Sequence, residues 1–92
     1  MTNRITETML EAVVKDLNYL TGNPLTAYGE NGANIGNYNI SHAYGGVSLH
    51  QISSSGGGVH DTFRTGHIPK RELFNRLCAF MEGIIIAQKV AK

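Results

Sequence analysis

The chain has 92 residues, of which 41% are hydrophobic and 16% are charged, and its formal net charge is +1 at pH 7. This length is one small domain, near the lower limit for burying an adequate core, and the apolar fraction excludes a disordered chain. No apolar run reaches the roughly 20 residues that cross a bilayer, and a single cysteine, Cys78, excludes an internal disulfide framework. The amphipathic N-terminus is typical of neither a signal peptide nor a transit peptide, so we expect a cytoplasmic protein.

The first predicted element is an amphipathic helix over residues 4–20. Apolar residues recur there at steps of three and four, which is the period of one helix face. Thr2 or Asn3 is the candidate N-cap. Gly22 suits the left-handed position that ends a helix, so the helix is expected to stop just before it.

A long loop is predicted over residues 23–37. The composition changes here to glycine, asparagine and other small residues, and Glu30-Asn31-Gly32 is a turn signal. Residues 25–28 are a candidate short extended piece. Loops of this length in small domains are usually either functional or poorly ordered.

Two strands, over residues 38–44 and 47–52, follow the loop and are predicted to form a hairpin. The alternation of side chains changes parity at Gly45-Gly46, and two adjacent glycines supply the positive φ angles of a type I′ turn. This turn would pair Tyr44 with Val47, and His42 with Leu49, on one side of the sheet. A glycine bulge within one long strand is the alternative interpretation.

A third strand and a second helix complete the pattern. Serines and glycines 53–58 indicate a flexible connection, and a short strand follows over about residues 59–64. A helix is predicted over about residues 69–83, with Pro69 as its first residue. Gly83 costs roughly 1 kcal/mol inside a helix, so we expect the helix to end or bend there.

The C-terminal tail, residues 84–92, is more apolar than a free terminus usually is. Its segment 84–90 is therefore predicted to pack against another copy of the chain in a homo-oligomer. The order of elements predicts an α+β two-layer sandwich, in which the N-terminal and C-terminal helices cover one face of an antiparallel three-stranded meander.

Cationic residues gather in the second half of the chain. Residues 57–76 hold four cationic side chains against two acidic ones, whereas residues 1–30 hold four acidic against two cationic. Lys70 and Arg71 fall on the first turn of the second helix, where free N–H groups and the helix dipole attract anions. We therefore predict that residues 56–72 bind a phosphate-bearing ligand. The candidate contacts, with Tyr44 as a stacking ring, are Gly57, Gly58, His60, Arg64, His67, Lys70 and Arg71.

An ordinary surface turn with solvated cations is the alternative to this binding site. The tyrosines are equally open between two roles, because at strand spacing Tyr38 and Tyr44 suit a core as well as a stacking surface.

No complete catalytic signature occurs in the sequence. The patterns GxxxxGK[ST], GxGxxG and GxSxG are absent. The four histidines and Cys78 match no standard zinc spacing, and the serines near His60 and Asp61 lie in a glycine-rich stretch unsuited to precise placement. We therefore predict no catalytic residues, no metal, no cofactor and no enzymatic activity.

The stretches LNYLTGNP, NYNISHAYGGVSLHQI, GGGV and GHIPKRELFNRLCAFMEGI resemble a family of short, mostly uncharacterised accessory proteins of tailed bacteriophages and prophages. The resemblance covers nearly the whole chain and brings no established catalytic residues. It implies a small non-structural protein that acts in the cytoplasm of an infected bacterium.

By analogy of size and origin, this resemblance implies a role against host defences. The first hypothesis is an oligomeric sponge for a nucleotide signal such as a cyclic nucleotide. The second is a protein-interaction inhibitor of a host defence complex, as anti-CRISPR proteins are. The helix–strands–helix order is also similar to that of double-stranded RNA-binding domains, so a small RNA- or DNA-binding domain is the third hypothesis.

Overall fold

The computed structural model describes residues 4–91 and has the predicted α+β architecture. β3, β4 and β5 form an antiparallel meander in that order, and β1 pairs with β2 in a separate two-stranded ribbon. The elements in chain order are α1 (Glu7–Thr21), β1 (Tyr28–Gly29), β2 (Gly32–Ala33), β3 (Tyr38–Ala43), β4 (Gly46–Ile52), β5 (Val59–Asp61) and α2 (Lys70–Val90).

α1 begins later than the sequence pattern predicts. Thr6 is its N-cap, since the Thr6 hydroxyl accepts a hydrogen bond from the Met9 backbone N–H at 3.2 Å. The expected caps Thr2 and Asn3 lie outside the described residues. Gly22 ends the helix with φ 73°, as predicted, and its backbone N–H bonds to carbonyls of the last turn.

Both helices pack on one face of the meander, and the core lies between the two layers. Leu49, at the middle of the central strand, and Leu73 and Leu77 of α2 are fully buried. Asn18 of α1 fixes the helix to β3, because its side-chain amide bonds to both the N–H and the C=O of Tyr38, at 2.7 and 2.9 Å. The buried core comprises Ile5, Leu10, Val14, Leu17, Tyr38, Val47, Leu49, Leu73 and Leu77.

The β3–β4 hairpin is present, but its two-residue turn lies one residue earlier in the chain than predicted, so the predicted strand register is wrong. Ala43 pairs with Gly46, so the two turn residues are Tyr44 and Gly45, with φ angles of 54° and 74°. His42 therefore faces Val47 rather than Leu49. The side-chain alternation is unchanged, because each strand keeps the same residues toward the helices.

The predicted long loop, residues 23–37, and the predicted connection, residues 53–58, both contain backbone hydrogen bonds. Residues 28–33 form the β1–β2 ribbon within the predicted long loop, and the Ala33 N–H bonds to the Ser55 carbonyl at 3.1 Å. The connection over residues 53–58 is a tight turn, closed by a bond of 2.8 Å from the Ser53 N–H to the Gly58 carbonyl.

The last two predicted elements also differ in extent. β5 ends at Asp61 rather than at residue 64, because the chain leaves β4 after residue 62 and rejoins it at Ile68. We call the intervening segment the bulge after β5. α2 continues to Val90, so the predicted end at Gly83 is wrong. Gly83 is exposed, a Cβ atom there would meet nothing within 4 Å, and residues 84–90 of the apolar tail are helical.

Across residues 4–91, neither helix has the length and apolar character that crossing a bilayer requires.

Candidate ligand-binding site

The sheet face opposite the helices carries a group of polar and aromatic side chains, which we call the open-face cluster: Ser41, Tyr44, His50 and His67. Ser41 Oγ and His67 Nε2 lie 3.0 Å apart, within hydrogen-bonding distance. The His67 ring is edge-on to the rings of Tyr44 and His50, with centroids 6.2 and 6.1 Å apart. Side chains from β3, β4, their turn and the chain before α2 thus meet on one surface.

His67 reaches this surface because the chain before α2 runs along the edge of β4. Val47 and Ile68 exchange two backbone hydrogen bonds of 2.8 Å each. Gly46 permits the close approach, since a Cβ atom there would lie within 3.0–3.1 Å of the backbone of His67 and Ile68. Ile68 packs against the helix-side core, so its neighbour His67 points to the opposite face.

Tyr44 and Arg64 are the two residues other than glycine that have positive φ angles within residues 4–91, at 54° and 57°. A side chain in this conformation crowds the following carbonyl oxygen, at a cost of roughly 1–2 kcal/mol. The side chain of Tyr44 is 100% exposed, so packing of its ring offsets little of that cost. Strained residues of this kind concentrate at functional sites.

Asp61 holds Arg64 in its position. Its carboxylate accepts hydrogen bonds from the backbone N–H groups of Arg64, at 3.1 Å, and Gly66, at 2.7 Å, which closes the bulge after β5. Burial acts to raise the pKa of the Asp61 carboxyl, but the backbone bonds, led by Gly66, and the nearby Ser48 hydroxyl bring that pKa below its ordinary value. Ser48 makes no well-formed hydrogen bond, so the backbone groups account for most of this lowering.

Several residues predicted for the site lie away from the open-face cluster. His60 pairs with Gln51 across the β4–β5 ladder and lies on the helix side of the sheet, whereas His67 lies on the opposite side. Gly57 and Gly58 belong to the turn between β4 and β5. A Cβ atom at Gly58 would lie 2.7 Å from Ser54 Oγ, which accepts a hydrogen bond from the Gly58 N–H, so a side chain there would disturb this bond of the turn.

Lys70 and Arg71 occupy the first turn of α2, and both are exposed. They follow His67 by three and four residues, and the N-cap of the helix, Pro69, makes no side-chain capping bond. Of the predicted contacts, Tyr44 and His67 therefore meet directly. Arg64 and Lys70 flank them along the chain.

The sequence reasoning missed Ser41 and His50 as members of the site. The signal was available, because residues at even spacing along β3 and β4 share a face once the hairpin register is set. Tyr38, the other tyrosine considered for stacking, serves the fold because it is buried.

The cluster offers hydrogen-bonding groups and an aromatic ring on one surface. Within residues 4–91, no carboxylate hydrogen-bonds to His50 or His67, so the Ser41–His67 pair has no acidic third member. The same residues contain no group of three or more histidine, cysteine, aspartate or glutamate side chains arranged to hold a metal ion. Imidazole N–H groups, a hydroxyl and an exposed phenol ring together offer hydrogen bonds and a stacking surface.

No family model, curated protein or solved structure matches this chain in sequence or fold comparisons.

Proposed function

We propose that this protein is a non-enzymatic accessory protein of a tailed phage or prophage that binds a phosphate-bearing ligand at the open-face cluster. The observation that carries the proposal is Tyr44, a bulky aromatic residue in left-handed conformation with a fully exposed side chain. Asparagine or glycine would suit this turn better. A tyrosine is therefore best explained by something that its ring contacts outside the chain.

The surroundings of Tyr44 suit a nucleotide. The phenol ring supplies a face on which a base stacks, and such stacking contributes about 1–3 kcal/mol per base. His67, fixed by its contact with Ser41, and His50 supply hydrogen-bond donors beside the ring. Arg64 and Lys70, which lie near His67 in the chain, are the cations assigned to the phosphate.

Binding of a small nucleotide signal, such as a cyclic nucleotide, is the form of the proposal that we favour. The formal net charge of +1 gives little long-range attraction to a nucleic-acid polymer. In an infected bacterium, a protein that sequesters such a signal would weaken the defence that depends on it.

Equilibrium binding measurements test this function directly. The purified chain is titrated with labelled cyclic nucleotides and, separately, with single-stranded and duplex RNA and DNA at low salt. We expect cyclic nucleotide binding that Tyr44→Asn and Arg64→Asn each weaken at least tenfold. Tyr28→Asn is the matched control, because Tyr28 is exposed on β1, away from the cluster. Absence of binding to every one of these ligands would overturn the proposal.

A small RNA-binding domain is the second candidate, and the topology favours it. α1, the three-stranded meander and α2 follow one another with both helices on one face, as in double-stranded RNA-binding domains. The turn at Tyr44 and the first turn of α2 also lie at the same end of the sheet, because Ile68 pairs with Val47. Duplex RNA binding that weakens steeply with salt, without cyclic nucleotide binding, would favour this candidate.

A further inference from the structure

The last turns of α2 expose three large aliphatic side chains. Ile85 is 41% exposed, Ile86 is 54% exposed and Val90 is 79% exposed. Ile85 and Ile86 border a groove between α1 and α2 that Val13 and Met81 also line. Removing such surface from water is favourable by about 25 cal/mol per Å², so a partner that covers these residues would be stabilised.

Two opposite charges flank the isoleucines on this side of α2. Glu82 and Lys89 line the same groove, as does Asp16 of α1, and the two α2 residues are seven apart, which is about 10.5 Å along a helix. Neither side chain makes an ion pair with another residue of the range 4–91. The midpoint between Glu82 and Lys89 falls between Ile85 and Ile86.

We propose that this side of α2 is the two-fold interface of a homodimer in which α2 packs antiparallel against α2 of a second copy. A two-fold axis at the midpoint places Glu82 opposite Lys89 of the second copy, and Lys89 opposite its Glu82. It also places Ile85 beside Ile86 of the second copy. A parallel pairing would instead set Glu82 against Glu82 and Lys89 against Lys89, so the charges select the antiparallel arrangement.

Charge reversal tests this register. Glu82→Lys and Lys89→Glu each replace two attractive contacts with two repulsive ones, and we expect the dimer dissociation constant to rise at least tenfold in sedimentation equilibrium. An equimolar mixture of the two variants restores the attraction in a heterodimer, and the double variant restores it in a homodimer. Glu72→Lys is the control, because Glu72 pairs with Arg76 of its own helix at 3.4 Å.

A chain that stays monomeric up to its solubility limit overturns the proposal, and so do reversals that leave association unchanged or a mixture that fails to associate. Circular dichroism of each variant checks that the exposed substitutions leave the fold intact. The proposed ligand site lies on the opposite face of the sheet, so the result of this experiment does not depend on whether the ligand binds there.

Oxidative cross-linking tests the direction of the helices independently. Cys78 lines the same groove, and the antiparallel register offsets the two copies of Cys78 by about 15 residues of helix, roughly 22 Å. We therefore expect no disulfide dimer from the native chain, and a rapid one from Ile85→Cys in a Cys78→Ser background. A disulfide through Cys78, with none through position 85, would indicate parallel helices and overturn the register.

Discussion

Asn18 shows how much one polar side chain contributes to the fold. It is buried on α1 and its amide satisfies both backbone groups of Tyr38. Asn18→Leu keeps the number of side-chain heavy atoms but leaves a buried N–H and a buried C=O without partners, so we expect a loss of about 2–4 kcal/mol in the free energy of unfolding. Urea denaturation measures it. Asn75→Leu, at an exposed position of α2, serves as the control and should change stability by less than about 0.5 kcal/mol.

Asp61 gives the stability of the protein a specific pH dependence. The pKa of its carboxyl is lower in the folded chain than in the unfolded chain, because the ionised form accepts the bulge hydrogen bonds. Its contribution is therefore complete above an unfolded pKa of about 3.9 and is lost as the pH falls toward the lower folded pKa.

Asp61→Asn tests this contribution. We expect it to lower the free energy of unfolding by about 1–2 kcal/mol at neutral pH, since one acceptor of a backbone N–H is lost. The difference from the native chain should shrink below about pH 4. Glu30→Gln, at an exposed position between β1 and β2, should show neither effect in the same denaturation series. A difference that is constant with pH would rule out this role for the Asp61 charge.

At the scale of the elements, the β3–β4 turn holds an exposed tyrosine in a conformation that lowers the stability of the fold. Tyr44→Asn relieves the left-handed strain of a bulky residue, so we expect the free energy of unfolding to rise by about 0.5–1 kcal/mol while ligand binding weakens at least tenfold. Tyr28→Asn, which has no positive φ angle to relieve, should not stabilise the chain. Thermal denaturation of both variants measures the change, and a destabilised Tyr44→Asn would argue that the ring serves the fold.

The same turn shows where sequence reasoning stops. The helix period, the Gly22 cap and the existence of the hairpin follow from local patterns, and all three are present. The local preference for glycine in a type I′ turn pointed to Gly45 and Gly46, but Gly46 is needed where His67 and Ile68 pass. That passage depends on the pairing of Val47 with Ile68, a contact between residues distant in sequence that no local pattern contains.

The site was only partly predictable for the same reason. The cationic stretch and Tyr44 stand out in the sequence, but which face each side chain occupies depends on strand register and on the bulge after β5. The bulge arises from the hydrogen bonds that the Asp61 carboxylate makes to Arg64 and Gly66. Aspartate is also common in ordinary turns, so an aspartate at this position does not by itself predict the bulge. The sequence therefore predicts one site for His60 and His67, whereas the two side chains lie on opposite sides of the sheet.

At the scale of the whole molecule, one core joins both helices to the sheet. Leu49 is fully buried in the central strand and belongs to the same apolar cluster as residues of α1 and α2. Leu49→Ala should therefore destabilise the chain by about 2–5 kcal/mol. Because the core is shared, the circular dichroism of the helices and the fluorescence of the tyrosines should change together in a single unfolding transition, in native and variant chains alike. Val59→Ala, at an exposed position of β5, is the control, and separate transitions for the two signals would contradict a common core.

The amide of Asn18 has a further consequence for how the chain behaves in a crowded solution. β3 is an outer strand of the meander, and the unpaired backbone of an outer strand is a template on which another chain can add and aggregate. At Tyr38, Asn18 already makes the two bonds that an incoming strand would need. The side chain that fastens α1 to the sheet thus also protects one end of its exposed edge from sheet-to-sheet aggregation.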